Sequence, residues 1–304
     1  MIENKEEINL EFIDSNKTKA AYLCVVLSAM LWGIIGIFVK KLDEFGFSNL
    51  QIVFIRAIVA AITVALFYFI KYKRIDIIKL RDAKYFVGTG IFSIVFFNWC
   101  YFIAINKTSL AVAAILLYTA PTIVMIFSVL LFKEKMTKEK VISLVLSFTG
   151  CVFVTLSGQG TGIKISFIGV IAGLGAGHGY ALYSIFGRYA LNKYDSITVT
   201  LYTFVFASIS LIPFVDIPEM IVLFSNLSSV FYAIILGVFS TTMPFLLYTY
   251  GLTKMESSKA SIIATLEPIV ATVIGIILYS ESITFLKIIG IIIVVLGLVM
   301  IKNK

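Results

Sequence analysis

The stretch IIATLEPIV, residues 262–270, sets Glu267 beside Pro268 inside a long apolar run. A carboxylate there can carry a proton or pair with a cation. Proline removes a backbone N–H and clashes with the preceding turn, so it frees carbonyls that can line a cavity. His178 is the single histidine, in GLGAGHGY, where it alternates with Gly173, Gly175, Gly177 and Gly179. Its imidazole titrates near neutral pH and can sense or carry a proton. Arg56, also within an apolar run, offers a planar fork for a carboxylate, or else snorkels to an interface. Asn98 requires a polar partner in an apolar setting. Trp32, Tyr101, Tyr118, Tyr180, Tyr183 and Tyr248 supply aromatic surface with polar tips. Pro121 and Pro244 mark further bends. Plainer roles stand beside these: Glu267 as a protonated structural link, His178 as a packing residue, the rings as belt or core.

Catalysis finds little support in these residues. There is no HExxH, no Asp-rich pair and no GxxxxGK[ST] phosphate loop. Cys24, Cys100 and Cys151 lie in apolar runs without CxxC spacing, so neither a disulfide framework nor a zinc site is expected. The reading expects no catalytic residues, no metal and no cofactor.

The composition says what must position these side chains. Of 304 residues, 60% are hydrophobic and only 14% charged, whereas a soluble domain is about 45–50% apolar and about 25% charged. Such an excess requires lipid. The net charge of +8 is scattered between apolar runs as topology signals, not gathered into a nucleic-acid surface. Runs long enough to span a bilayer predict ten helices, at 20–39, 49–70, 85–105, 109–132, 140–157, 165–187, 196–215, 229–252, 258–280 and 283–301. With the N-terminus in the cytoplasm, 19 of the 25 Lys and Arg fall on the cytoplasmic side, in both termini and in 71–84, 133–140, 188–193 and 254–259. Lys40, Lys41, Lys107, Lys164 and Lys287 fall on the other side, and Arg56 lies within a span. This bias puts both termini inside. Residues 1–19 have no cleavable leader pattern and read as a mobile cytoplasmic tail.

The chain also repeats itself. At an offset of 147, Tyr101 meets Tyr248, Lys107 meets Lys254, Pro121 meets Pro268, Glu134 meets Glu281, Thr137 meets Thr284, Lys140 meets Lys287 and Gly150 meets Gly297. Polar residues, Pro and Gly are scarce in apolar helices, so these matches carry more weight than apolar ones. The first spans agree less well, at an offset of 148. Two five-helix units follow, 20–157 and 165–301. Five is odd, so the second unit crosses the membrane in the opposite sense, an inverted repeat of the kind that secondary transporters use. Thr137 and Thr284 are placed to N-cap spans 5 and 10. Glu134 and Glu281, three residues before them, read mainly as parts of a repeated polar hairpin, with gating the lesser alternative.

These features resemble the drug/metabolite transporter superfamily, EamA-type. The resemblance rests on the paired five-helix units, MLWGIIGIFVKK in span 1, FIRAIVAA in span 2, LLYTAPTIVMIFSVLLFKEKMT at spans 4–5 and IIATLEPIVATVIGIILYSESIT at spans 9–10. It implies an all-α polytopic membrane protein of ten helices, in a bacterial cytoplasmic membrane, with lipid and a small-molecule substrate as partners. It implies little about which substrate: family members carry amino acids and other metabolites, with relatives for sugars, nucleotide-sugars or drugs. Ala120 stands where Glu267 stands in the second unit, so any role for that carboxylate is single-copy.

A helix rises about 1.5 Å per residue, which puts Glu267, His178, Pro121 and Trp32 at similar mid-membrane depths. The expected function is alternating-access export of a small organic metabolite, with proton coupling through Glu267 or His178. A drug, nucleotide-sugar or lipid-linked cargo is the alternative. An intramembrane enzyme or a channel fits least. Oligomeric state is not legible.

Overall fold

A computed structural model describes residues 3–73, 77–157 and 166–302, with side chains from Thr18 to Ile301. Lys164 and the expected boundary at 158–164 lie outside the described residues. All regular structure among the described residues is helical. Among the described residues, nine helices are long and apolar enough to cross a membrane: Thr18–Glu44, Asn49–Tyr72, Leu80–Lys107, Leu110–Phe132, Lys138–Leu156, Phe167–Leu191, Ser196–Phe214, Leu227–Leu252 and Ser257–Tyr279. A tenth apolar helix, Phe285–Ile301, is shorter. In chain order these are spans 1–10, and each matches an expected run. Their outward faces carry large exposed apolar side chains such as Leu66, Ile70, Phe167 and Ile277, as lipid contact requires.

Two segments differ from expectation. Helix begins at Glu3 and runs unbroken to Gly33, so the stretch read as a mobile tail is continuous with span 1. The connection between spans 7 and 8 contains a further short helix, Ile217–Leu223, started by Asp216, whose side chain accepts from the Glu219 N–H.

Irregularities recur at the repeat offset. Span 4 is two helices, Leu110–Leu117 and Ala120–Phe132, and span 9 is Ser257–Ala264 and Glu267–Tyr279. Each second piece has its proline, Pro121 or Pro268, in the first turn, where the missing N–H costs no hydrogen bond. Spans 3 and 8 each widen into π-helical turns, at Val87–Phe96 and Val238–Thr242, and Pro244 follows the second. The hairpins after spans 4 and 9 turn through Lys133 and Ser280, both left-handed, with φ of 56° and 53°. Spans 5 and 10 pack so closely that a Cβ on Gly150 would lie 2.7 Å from the Gly290 carbonyl oxygen, and one on Gly297 2.9 Å from Ser147 Oγ. Small residues permit this backbone approach. Thr137 and Thr284 accept from the N–H groups of Lys140 and Lys287, capping spans 5 and 10.

The two ends of the bundle differ. At the end bearing Glu134, the connections are tied together. Glu134 accepts from Ser257 N–H (2.8 Å), Ser258 N–H (3.3 Å) and Ser258 Oγ (2.5 Å). Arg188 of span 6 donates to the carbonyls of Leu252 and Met255. Lys193 Nζ donates to Asp82 at 2.5 Å, a hydrogen bond that raises the lysine above its usual pKa. The opposite end, bearing Lys107, contains the mouth of a cavity.

Candidate functional site

The cavity has a volume of about 510 Å³ and runs from mid-bundle toward the Lys107 end, where Val39, Asn49, Ile105 and Leu110 line it. Of the ten side chains singled out as site candidates in the sequence, nine line it: Trp32, Arg56, Asn98, Tyr101, Tyr118, Tyr180, Tyr183, Tyr248 and Glu267. His178 does not. Its ring is on the exposed side of span 6, with Nδ1 2.9 Å from the Leu174 carbonyl oxygen of its own helix. Depth along a helix follows from counting residues, but rotation about the axis does not.

Glu267 reaches the cavity because the break in span 9 makes it the first residue of the second helical piece. Its Oε2 accepts from the Tyr180 hydroxyl at 3.4 Å. Arg56 projects from span 2, and its Nε donates to Thr241 Oγ1 at 3.1 Å. Thr241 sits in the π-helical part of span 8 and donates in turn to the Leu236 carbonyl, five residues back. The wide turn thus aims a hydroxyl at Arg56, which lines the cavity. Arg56 and Glu267 line the same space, yet among the described residues they form no ion pair within 4.0 Å.

Aromatic rings form the walls. Trp32 lies 5.2 Å from the Phe245 ring, 5.3 Å from Tyr248 and 6.4 Å from Tyr180. Tyr183 and Tyr248 are held from behind by Thr249 Oγ1 (2.5 Å) and Ser184 Oγ (2.8 Å). Asn98 Nδ2 donates to the Ile94 carbonyl at 2.7 Å. The Tyr101 and Tyr118 hydroxyls make no hydrogen bond among the described residues. The arrangement offers a solute one anion-binding group, one cation-binding group and stacking surfaces. Among the described residues no His, Cys, Asp and Glu cluster could hold a metal.

The sequence reading missed Asn49, Ser93, Phe97, Ser184 and Phe245, which also line the cavity. Ser93 and Phe97 sit in and just after the π-helical turns of span 3, where the extra residue per turn shifts the facing side chains away from a 3.6-residue periodicity.

The sequence profile of the EamA-like transporter family matches twice, at residues 19–156 and 167–302. The chain belongs to that family. It is a membrane transporter by kinship with proteins that it matches over most of their length. An uncharacterized transporter of Archaeoglobus fulgidus is 29% identical over 88% of this chain and 90% of its own. The uncharacterized inner membrane transporter YicL of Salmonella typhimurium is 23% identical over 94% of this chain and 96% of its own. A solved crystal structure shares the fold, with a TM-score of 0.75 at 15% identity, over 93% of this chain and 96% of that one. This EamA-like chain thus shares its fold with that structure along nearly its full length.

Proposed function

We propose that the chain is a secondary transporter that exports small metabolites carrying both a cationic and an anionic group, amino acids or compounds of that kind. One observation carries this reading. Arg56 and Glu267 line one cavity without an ion pair between them within 4.0 Å. A charge in the bilayer interior costs at least about 2.5–3.5 kcal/mol and normally finds a partner. A zwitterionic solute would supply both partners at once, its carboxylate on the Arg56 fork and its ammonium at Glu267, with Trp32 and Tyr180 stacking on the remainder.

In this reading the two five-helix units, 20–157 and 165–301, are inverted repeats that rock about the site. Both termini lie in the cytoplasm, on the charge bias of the connections, and the protein resides in the cytoplasmic membrane. The Lys107 end is then external and the cavity is in its outward-open state. Glu267 is the group through which a proton would be exchanged for the solute.

The experiment is comparative metabolomics of cells expressing the wild-type chain or Glu267→Gln at matched membrane levels. An amino-acid-like compound enriched in the medium only with wild type supports the proposal, and the purified wild-type protein is then expected to gain thermal stability on binding it. In proteoliposomes an imposed pH gradient is expected to drive that compound with wild type and not with Glu267→Gln. Normal transport by Glu267→Gln would sink the role of the carboxylate.

A further inference from the structure

The hairpins after spans 4 and 9 have the same backbone and the same Glu–Lys pair, and differ in how far the carboxylate reaches. In both, a left-handed residue, Lys133 or Ser280, closes the helix, and the next N–H, of Glu134 or Glu281, returns 3.2 Å to a carbonyl, that of Ser128 or Gly275. Ser128 and Gly275 are themselves 147 residues apart. The carboxylates then diverge. Glu134 lies 3.8 Å from Lys140 Nζ, the match of Lys287, and also reaches out to cap the start of span 9, through Ser257 and Ser258. Glu281 stays home: it bonds Lys287 Nζ at 2.9 Å and folds so close to Gly275 that a Cβ there would be 2.7 Å from its Oε1.

The residues that match Ser257 and Ser258 at this offset are Leu110 and Ala111, which begin span 4. As first-turn residues their N–H groups lack intrahelical acceptors. Glu281, Leu110 and Ala111 line one cleft of about 520 Å³, which shares Tyr101, Leu110 and Tyr118 with the main cavity. The donor pair and the carboxylate thus border the same open space. A second pair behaves alike. Arg188 ties span 6 to the carbonyls of Leu252 and Met255 at the closed end, while Lys40, its match at an offset of 148, lies 4.1 Å over the Tyr279 ring at the open end.

We infer that Glu134 and Glu281 are alternating latches. In the conformation described here Glu134 caps span 9 and holds its end shut, while Glu281 is parked. In the opposite conformation Glu281 swings across the cleft to cap span 4 through the N–H groups of Leu110 and Ala111, and Glu134 releases Ser257 and Ser258. Each closed end thereby gains a negative charge at a helix N-terminus, where it is stabilising, and only one end is latched at a time. This inference rests on the reading of two exchanging halves, and not on the substrate class.

The test uses the full-length purified chain with Cys24, Cys100 and Cys151 replaced by alanine and a reporter, Gly187→Cys, at the latched end. A Cβ at Gly187 meets only Leu252 Cδ1, at 3.8 Å, so the reporter fits. It reacts with a soluble maleimide in proportion to the population opened at that end. Glu134→Gln is expected to speed its labelling, and Glu281→Gln, at the far end of the molecule, to slow it, each by roughly fivefold, the order of effect of a lost helix cap on a two-state equilibrium. Glu281→Gln is decisive, because local loosening or misfolding would speed labelling and not slow it. Unchanged or faster labelling in Glu281→Gln overturns the latch. No solute is present, so this outcome is separate from the fate of the zwitterion reading, which Glu267→Gln transport decides.

Discussion

Gly33 of span 1 rests on the backbone of Glu267: a Cβ at Gly33 would lie 2.8 Å from the Glu267 carbonyl oxygen and 2.6 Å from Val270 Cβ. Gly177 of span 6 meets the break in span 4 in the same way, with a Cβ 2.9 Å from the Leu116 carbonyl oxygen and 2.7 Å from Thr119 Oγ1. Each broken helix is therefore backed by a glycine from the first span of the other half. At each break the chain turns through tighter hydrogen bonds, Thr119 N–H to the Leu116 carbonyl and Thr265 N–H to that of Ile262, and a close-packed neighbour covers it.

Gly33→Ala is expected to force span 1 off this elbow, because the atoms it meets include backbone and a β-branched stem that cannot swing aside. Overpacking of this kind costs about 1–3 kcal/mol. Gly36→Ala, one turn further on, meets nothing within 4 Å and should leave stability equal or slightly raised. Thermal unfolding of the two purified variants compares them; equal midpoints would show that the Gly33 contact bears no strain.

Thr241→Val keeps the shape of the π-helical turn and removes the acceptor for Arg56 Nε. The guanidinium then loses its anchor and sweeps a wider arc. Binding should weaken by about 1 kcal/mol, read as a KM raised roughly fivefold at unchanged membrane abundance. Arg56→Lys should not restore affinity, since an ammonium has no fork with which to hold both Thr241 and a carboxylate. A KM for Thr241→Val equal to wild type would mean that Arg56 is oriented by something else.

His178→Phe should transport within about twofold of wild type, with the same pH profile. The ring is on the exposed side of span 6, outside the cavity lining, and its hydrogen bond among the described residues is to its own helix. Loss of pH dependence in this variant would place His178 back in the mechanism.

The spans were legible because lipid imposes length and polarity so strictly. Glu267, Pro121 and Pro268 were legible for the same reason: each is costly in an apolar helix, so each marks a place where the helix departs from the rule. His178 was misread because GLGAGHGY has small residues on several faces, and such a stretch does not say which face is turned inward. The π-helical turns were invisible, for Val87–Phe96 and Val238–Thr242 carry no residue that demands them. Hence Ser93 and Phe97 were missed, along with the bond between Thr241 and Arg56. The short helix at Ile217–Leu223 was readable in principle from Asp216, Pro218 and Glu219, an N-cap followed by proline and acid in the first turn.

Gly275 is the parking place of Glu281, and its match in the first half, Ser128, has the Cβ that Gly275 lacks. Gly275→Ala would set a methyl group 2.7–2.9 Å from the Glu281 carboxylate. The side chain is flexible and yields, so the helix is not strained, and alanine in place of glycine should raise stability by up to about 1 kcal/mol. The carboxylate loses its resting position beside Lys287 and is freed toward span 4. Labelling of Gly187→Cys should accordingly accelerate in Gly275→Ala, the reverse of the change expected for Glu281→Gln. Combining the two substitutions should abolish the acceleration, because the methyl group then has no charged latch to release. If Gly275→Ala accelerates labelling equally with and without Glu281, the glycine acts through helix packing and not through the carboxylate.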